Sequence, residues 1–137
     1  MNNLQKTPQW DNLLKLAIVA RENSYSPYSR YKVGAALLTT NGKTFTGCNI
    51  ENAAYTPSNC AERTAVFKAV SEGERDFAAI AVATSNGVAP CGVCRQVMRE
   101  FAPNLTIVLG DIEGNYRVVS LTDLLPDSFG PENLETD

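Results

Sequence analysis

A three-layer α/β/α domain built on a five-stranded mixed sheet is the fold class that this 137-residue sequence predicts. Two features carry the prediction. An early hairpin is marked by Asn41-Gly42, and strand–helix–strand units follow it, which together require antiparallel and parallel pairing in one sheet. Helices between such strands must then cover both sheet faces.

The elements follow in order. Thr7 can cap a first helix and Pro8 suits its first position, while Trp10, Leu13, Leu14, Ala17 and Ile18 repeat at helical spacing, with an end expected near Asn23. Residues Ser24 to Arg30 are turn-rich. Tyr31 to Leu38 reads as a strand, and Lys43 to Cys48 as its hairpin partner. Asn49 to Asn59 is irregular and polar. A second helix is expected from about Cys60 to Ser71, burying Ala65, Val66, Ala69 and Val70, with Gly73 at its stop. Phe77 to Thr84 is a small apolar strand suited to burial on both faces. Pro90 introduces a third helix, about Cys91 to Phe101, which Pro103-Asn104 breaks. Leu105 to Leu109 and Tyr116 to Ser120 complete the strands, and Ser120 with Asp123 signals a short helix to Leu125. The acidic tail from about Pro126 is expected to fray or to dock on a neighbouring subunit. No linker or repeat divides the chain, so residues 1–137 are expected to form one domain.

Composition narrows the function. Twelve basic and fifteen acidic residues give a net charge of −3, and no basic run exists, which argues against a nucleic-acid track. Apolar runs are too short for a membrane span, and Met1 to Pro8 is polar, so a cytoplasmic protein with no membrane partner is expected. The chain has no histidine, which removes His-based triads, dyads and metal sites. Any transition-metal site must come from Cys, Asp or Glu.

The chemistry-bearing residues are Cys60-Ala61-Glu62-Arg63 and Pro90-Cys91-Gly92-Val93-Cys94, each where a helix begins. Cys91 and Cys94 share one helical face by their spacing. If the two helix starts adjoin, three thiolates converge and leave a fourth zinc position open, the arrangement of catalytic sites. Helix N-termini favour thiolates. Three thiolates and a dication sum to −1, and Arg63 on the face of Cys60 can offset that charge. Glu62, elsewhere on the first turn, can take a proton from a water at the open position.

These motifs, with Pro27-Tyr28-Ser29, Val33-Gly34-Ala35-Ala36, Cys48 to Ala53, Leu124-Leu125-Pro126 and Phe129-Gly130-Pro131-Glu132, resemble the small homotetrameric cytidine deaminases from about Ser26 onward. The resemblance implies one Zn2+ per chain on Cys60, Cys91 and Cys94, with Glu62 shuttling protons and Arg63 balancing charge. It implies hydrolysis of cytidine and 2′-deoxycytidine to uridine and 2′-deoxyuridine, with release of ammonia, in pyrimidine salvage. Asn49 and Glu51 would bind the ribose 3′-OH, and that Glu would repel a 3′-phosphate, favouring a free nucleoside. The Ala61 N–H would read the cytosine O2. Tyr31, and Phe129 from a neighbouring subunit of a homotetramer, would line the pocket. Val93, Ala89 and Tyr31 stand where Ala, Ser and Phe are common in the family, which bears on substrate preference and leaves the ligands untouched.

Other readings compete. Cys91 and Cys94 alone would fit a thioredoxin-like redox pair, which leaves Cys60, Glu62 and Arg63 without a role. A structural zinc module with Cys48 as fourth ligand fits spacing alone. A related deaminase of a modified cytosine nucleoside or antibiotic is the nearest alternative enzyme.

Overall fold

The computed structural model describes residues 6–134. Met1 to Gln5 of the polar N-terminus and the last three residues of the acidic tail lie outside the described residues.

Helix α1 (Pro8–Arg21) starts where the Thr7 hydroxyl accepts the Trp10 N–H at 3.2 Å. Strands β1 (Gly34–Thr39) and β2 (Thr44–Cys48) form the expected hairpin. β1 begins three residues later than Tyr31 because the Asn49 side chain takes the backbone there. The Val33 N–H donates to Asn49 Oδ1 at 2.9 Å, and Asn49 Nδ2 donates to the Tyr31 carbonyl at 2.7 Å. A side chain that occupies these groups displaces the strand ladder.

Strand β3 (Phe77–Thr84) lies at the centre of the sheet, whose order is β2-β1-β3-β4-β5, with β4 at Thr106–Asp111 and β5 at Tyr116–Ser120. Only the β3–β4 pair is parallel; the others are antiparallel, so the sheet is mixed. Ala79, Ala81 and Ala83 of β3 pack with Leu13, Leu14 and Ala17 of α1 on one face. Small residues allow the helix to lie close. Ile80 and Val82 face the opposite layer, made by α2 (Ala61–Ser71), α3 (Gly92–Phe101) and the short α4 (Leu121–Leu124), with Val66, Met98 and Leu121 in its core. Val70, expected in the buried stripe of α2, is half-buried at its edge.

Strand direction positions the site. β2 and β3 are both antiparallel to β1, so they run the same way and their C-terminal ends share one end of the sheet. The chain leaves β2 toward α2 and β3 toward α3, which brings both helix N-termini to that end, where open α/β sheets place their crevice. Gly47 of β2 lets α2 settle there. A Cβ at Gly47 would come 2.6 Å from Ala65 N and 2.7 Å from Ala61 O, both backbone of α2. Gly47→Ala is therefore expected to destabilise the fold by about 1–3 kcal/mol, the usual cost of overpacking. A fall in the thermal unfolding midpoint checks this; an unchanged midpoint would refute it.

The tail does not fray within the described residues. Residues 128–132 lie along α3 and end in a 3-10 turn at Pro131–Leu134.

Candidate metal centre and active site

Cys60 and Cys91 are the N-caps of α2 and α3, both with extended backbone, and neither spends its side chain on a capping hydrogen bond. Cys94 sits one turn into α3 and is buried. The Sγ atoms are 4.0 Å apart for Cys60 and Cys91 and 3.5 Å apart for Cys91 and Cys94, and all three lie within 4.8 Å of one another. Tetrahedral zinc with Zn–S of about 2.3 Å needs S···S of about 3.8 Å, so the donor set fits zinc in both chemistry and spacing. Cys48 lies outside this cluster, which leaves the site with three sulfurs rather than the four of a closed structural centre.

The thiols are electrostatically crowded. Cys60 is pushed down to about 5, first by the neighbouring Cys94 thiol and then by the Arg63 guanidinium, whose Nη2 donates to Cys60 Sγ at 3.3 Å. Cys94 moves the other way because Cys60 competes for its proton and burial disfavours its charge. Three sulfurs this close can all be anionic together only beside a cation, and a dication meets that need. Arg63, expected to balance that charge, lies within hydrogen-bond reach of Cys60.

Glu62 follows Cys60 on the first turn of α2 and is only 4% exposed. Burial pushes its carboxyl up to about 7, with a further push from Cys60. A carboxyl in that state can both take and give a proton near neutral pH.

Cys60, Glu62 and Cys91 border a cavity of about 350 Å³, within the usual range for small-molecule sites of about 300–1,000 Å³. Ala61, Tyr31, Asn49 and Glu51 line the same cavity. Ala61 is the first residue of α2, so its N–H has no intrahelical acceptor and is free for a ligand. Asn49 is already engaged: besides Tyr31 and Val33 it accepts the Ser24 hydroxyl at 2.5 Å, leaving one amide hydrogen to offer. Glu51 Oε1 accepts the N–H groups of Tyr28 and Ser29 at 3.0 and 3.1 Å, and the Ser29 hydroxyl donates to Oε2. These bonds, the Ser29 hydroxyl first, hold the Glu51 carboxyl below its ordinary value, so it stays an acceptor at neutral pH. The Tyr31 hydroxyl donates to Asn86 Oδ1 at 2.6 Å.

Phe129 is not among the residues lining its own chain's cavity; it stands exposed beyond α3. The sequence reading assigned no role to Ser29, which anchors Glu51, or to Val88, which forms part of the wall. Both depend on loops distant in sequence meeting in space, and no local pattern marks that.

The family profile described as "Cytidine and deoxycytidylate deaminase zinc-binding region" matches residues 8–110. The cytidine deaminase of Halalkalibacterium halodurans is 53% identical over 125 residues, covering 89% of this chain and 95% of that protein. The crystal structure of cytidine deaminase from Burkholderia pseudomallei is 53% identical with a TM-score of 0.84, covering 90% of this chain and all of that one. The Mycobacterium tuberculosis cytidine deaminase structure is 39% identical with a TM-score of 0.79, covering 90% of this chain and 99% of that one.

Proposed function

The chain belongs to the cytidine and deoxycytidylate deaminase zinc-binding family, and from that premise we propose that it converts cytidine and 2′-deoxycytidine with water to uridine and 2′-deoxyuridine plus ammonia. The observation that carries this reading is the three-sulfur cluster beside a buried carboxyl in a nucleoside-sized cavity. Zinc is the cofactor, held by Cys60, Cys91 and Cys94; when bound it supplies Lewis acidity that eases deprotonation of water near neutral pH.

The chain's own residues carry the remaining steps. The Glu62 carboxylate accepts a proton from the attacking water and delivers it to ring N3 as the water oxygen adds to C4. The C4 hydroxyl proton then passes through Glu62 to the exocyclic nitrogen, the C4–N bond breaks as the C4 carbonyl forms, and ammonia leaves. Glu62 serves in both directions because its burial keeps the two protonation states close in energy at working pH. The free Ala61 N–H donates to the pyrimidine O2 and orients the ring. Glu51, with its remaining acceptor capacity on Oε2, takes a sugar hydroxyl, and the spare Asn49 amide hydrogen donates to the same hydroxyl. The negative charge that Glu51 keeps at the sugar disfavours a phosphate, so the substrate is a free nucleoside. Arg63 sustains the thiolates. Tyr31 forms one wall, and Phe129 of a neighbouring copy forms another in a homotetramer of one-domain chains. The unpaired thiols suit the reducing cytoplasm, and pyrimidine salvage is the setting.

Purified protein is expected to convert cytidine to uridine, read as loss of the aminopyrimidine absorbance. Absence of turnover by folded, zinc-loaded protein would overturn cytidine as substrate and direct attention to modified cytosine nucleosides.

A further inference from the structure

We propose that Arg99 is a positioning residue for this reaction: it clamps the C-terminal segment so that the Phe129 ring is presented, already ordered, to the cavity of a neighbouring copy. The proposal rests on the reading above that Phe129 completes a neighbour's site.

The clamp is built in detail. Arg99, on α3, is only 7% exposed although it carries a full charge, a costly placement unless its hydrogen bonds are met. They are met by the C-terminal segment. Nε donates to Ser128 Oγ at 2.7 Å, Nη2 donates to the Ser128 carbonyl at 3.5 Å, and Nη2 pairs with Glu132 Oε2 at 2.5 Å. One turn earlier on α3, Gln96 Nε2 donates to the Phe129 carbonyl at 2.9 Å. The segment is thus gripped before, at and after residue 129. Asp127 adopts a left-handed φ of 50°, which turns the chain onto α3. Gly130 is required where the segment passes beneath the guanidinium: a Cβ there would collide with Arg99 and come 2.5 Å from Glu132 Oε1.

The held segment presents its largest side chain outward. Phe129 is 56% exposed while its peptide is fixed on both sides. For a segment that served only to cover the core, this arrangement is inverted, because the ring would be buried and the polar groups left in water. An aromatic ring whose backbone is ordered in advance loses less conformational freedom when it enters a pocket, so the clamp favours substrate binding rather than the chemical step.

Steady-state cytidine kinetics on four variants test this: Glu132→Gln, Arg99→Met, Phe129→Ala and the Glu132→Gln/Phe129→Ala double variant. Glu132→Gln is expected to raise KM about fivefold with kcat within about twofold, the scale of one partly exposed ion pair. Phe129→Ala should raise KM at least as much, and the double variant should be no worse than Phe129→Ala alone. If Arg99→Met fails to fold, Glu132→Gln carries the test, since its side chain is largely in solvent. Unchanged KM in Glu132→Gln, or multiplicative effects in the double variant, would overturn the clamp while leaving Phe129 in the site. Unchanged KM in Phe129→Ala would instead overturn the placement of Phe129 itself.

Discussion

Glu62→Gln is expected to fold, to hold zinc and to turn over cytidine about a thousandfold more slowly, or worse. The carboxyl handles every proton in the proposed reaction, and positioned acid–base groups contribute typically about 10²–10⁴-fold each. A thousandfold loss in kcat corresponds to about 4 kcal/mol of transition-state stabilisation. An amide matches the shape of the carboxyl but can neither accept the water's proton nor return it. Zinc content should not fall, because the three clustered sulfurs are the proposed ligands and Glu62 is not among them. Nor should stability fall. Burial opposes the charged form of Glu62, so exchanging it for a neutral side chain of the same size removes a cost of folding. The measurement is kcat for cytidine beside metal content and thermal midpoint for the same preparation. Turnover within tenfold of the parent in a zinc-loaded variant would remove Glu62 from its role as shuttle.

The second large effect concerns the sulfurs. Cys91→Ala is expected to lower bound zinc from one per chain to a small fraction and to bring turnover to background. Cys91 is exposed at the start of α3 and spends nothing on capping, so its removal disturbs little packing and reports on metal binding rather than on folding. Two remaining sulfurs hold zinc far less well than three, and the crowding that Arg63 relieves at Cys60 then serves no cation. Chelation of the unmodified protein should give the same inactive state, reversed by added zinc, with a thermal midpoint that rises as zinc binds the native state. Metal content and activity, measured together, decide the matter: full activity in metal-free protein would sink the proposed chemistry.

Much of this site can be read locally. Asn41-Gly42, the Pro8 start of α1 and the small apolar run of β3 are each dictated by the residues that occupy them, so the elements and the mixed sheet follow from short-range rules. Cys60, Cys91 and Cys94 are legible as candidate metal ligands because helix geometry places Cys91 and Cys94 on one face, and because without histidine few ligand types remain. Glu62 is marked by its place on the same first turn as Cys60, and the family resemblance makes it the expected proton shuttle.

Three things required the folded chain. That the two helix starts adjoin depends on β2 and β3 running the same way on either side of β1, a property of strand pairing that no single segment contains. That β1 begins at Gly34 rather than Tyr31 depends on Asn49 reaching back across the hairpin to take the groups the strand would have used. And Arg99, an unremarked basic residue in an amphipathic helix, acquires its three bonds to Ser128 and Glu132 only when residues about thirty positions away return along α3. Local propensity is set by steric and hydrogen-bonding choices within a few residues, and it was sufficient for the elements. Burial, charge pairing and the shape of the cavity arise between segments distant in sequence, and only tertiary packing decides them.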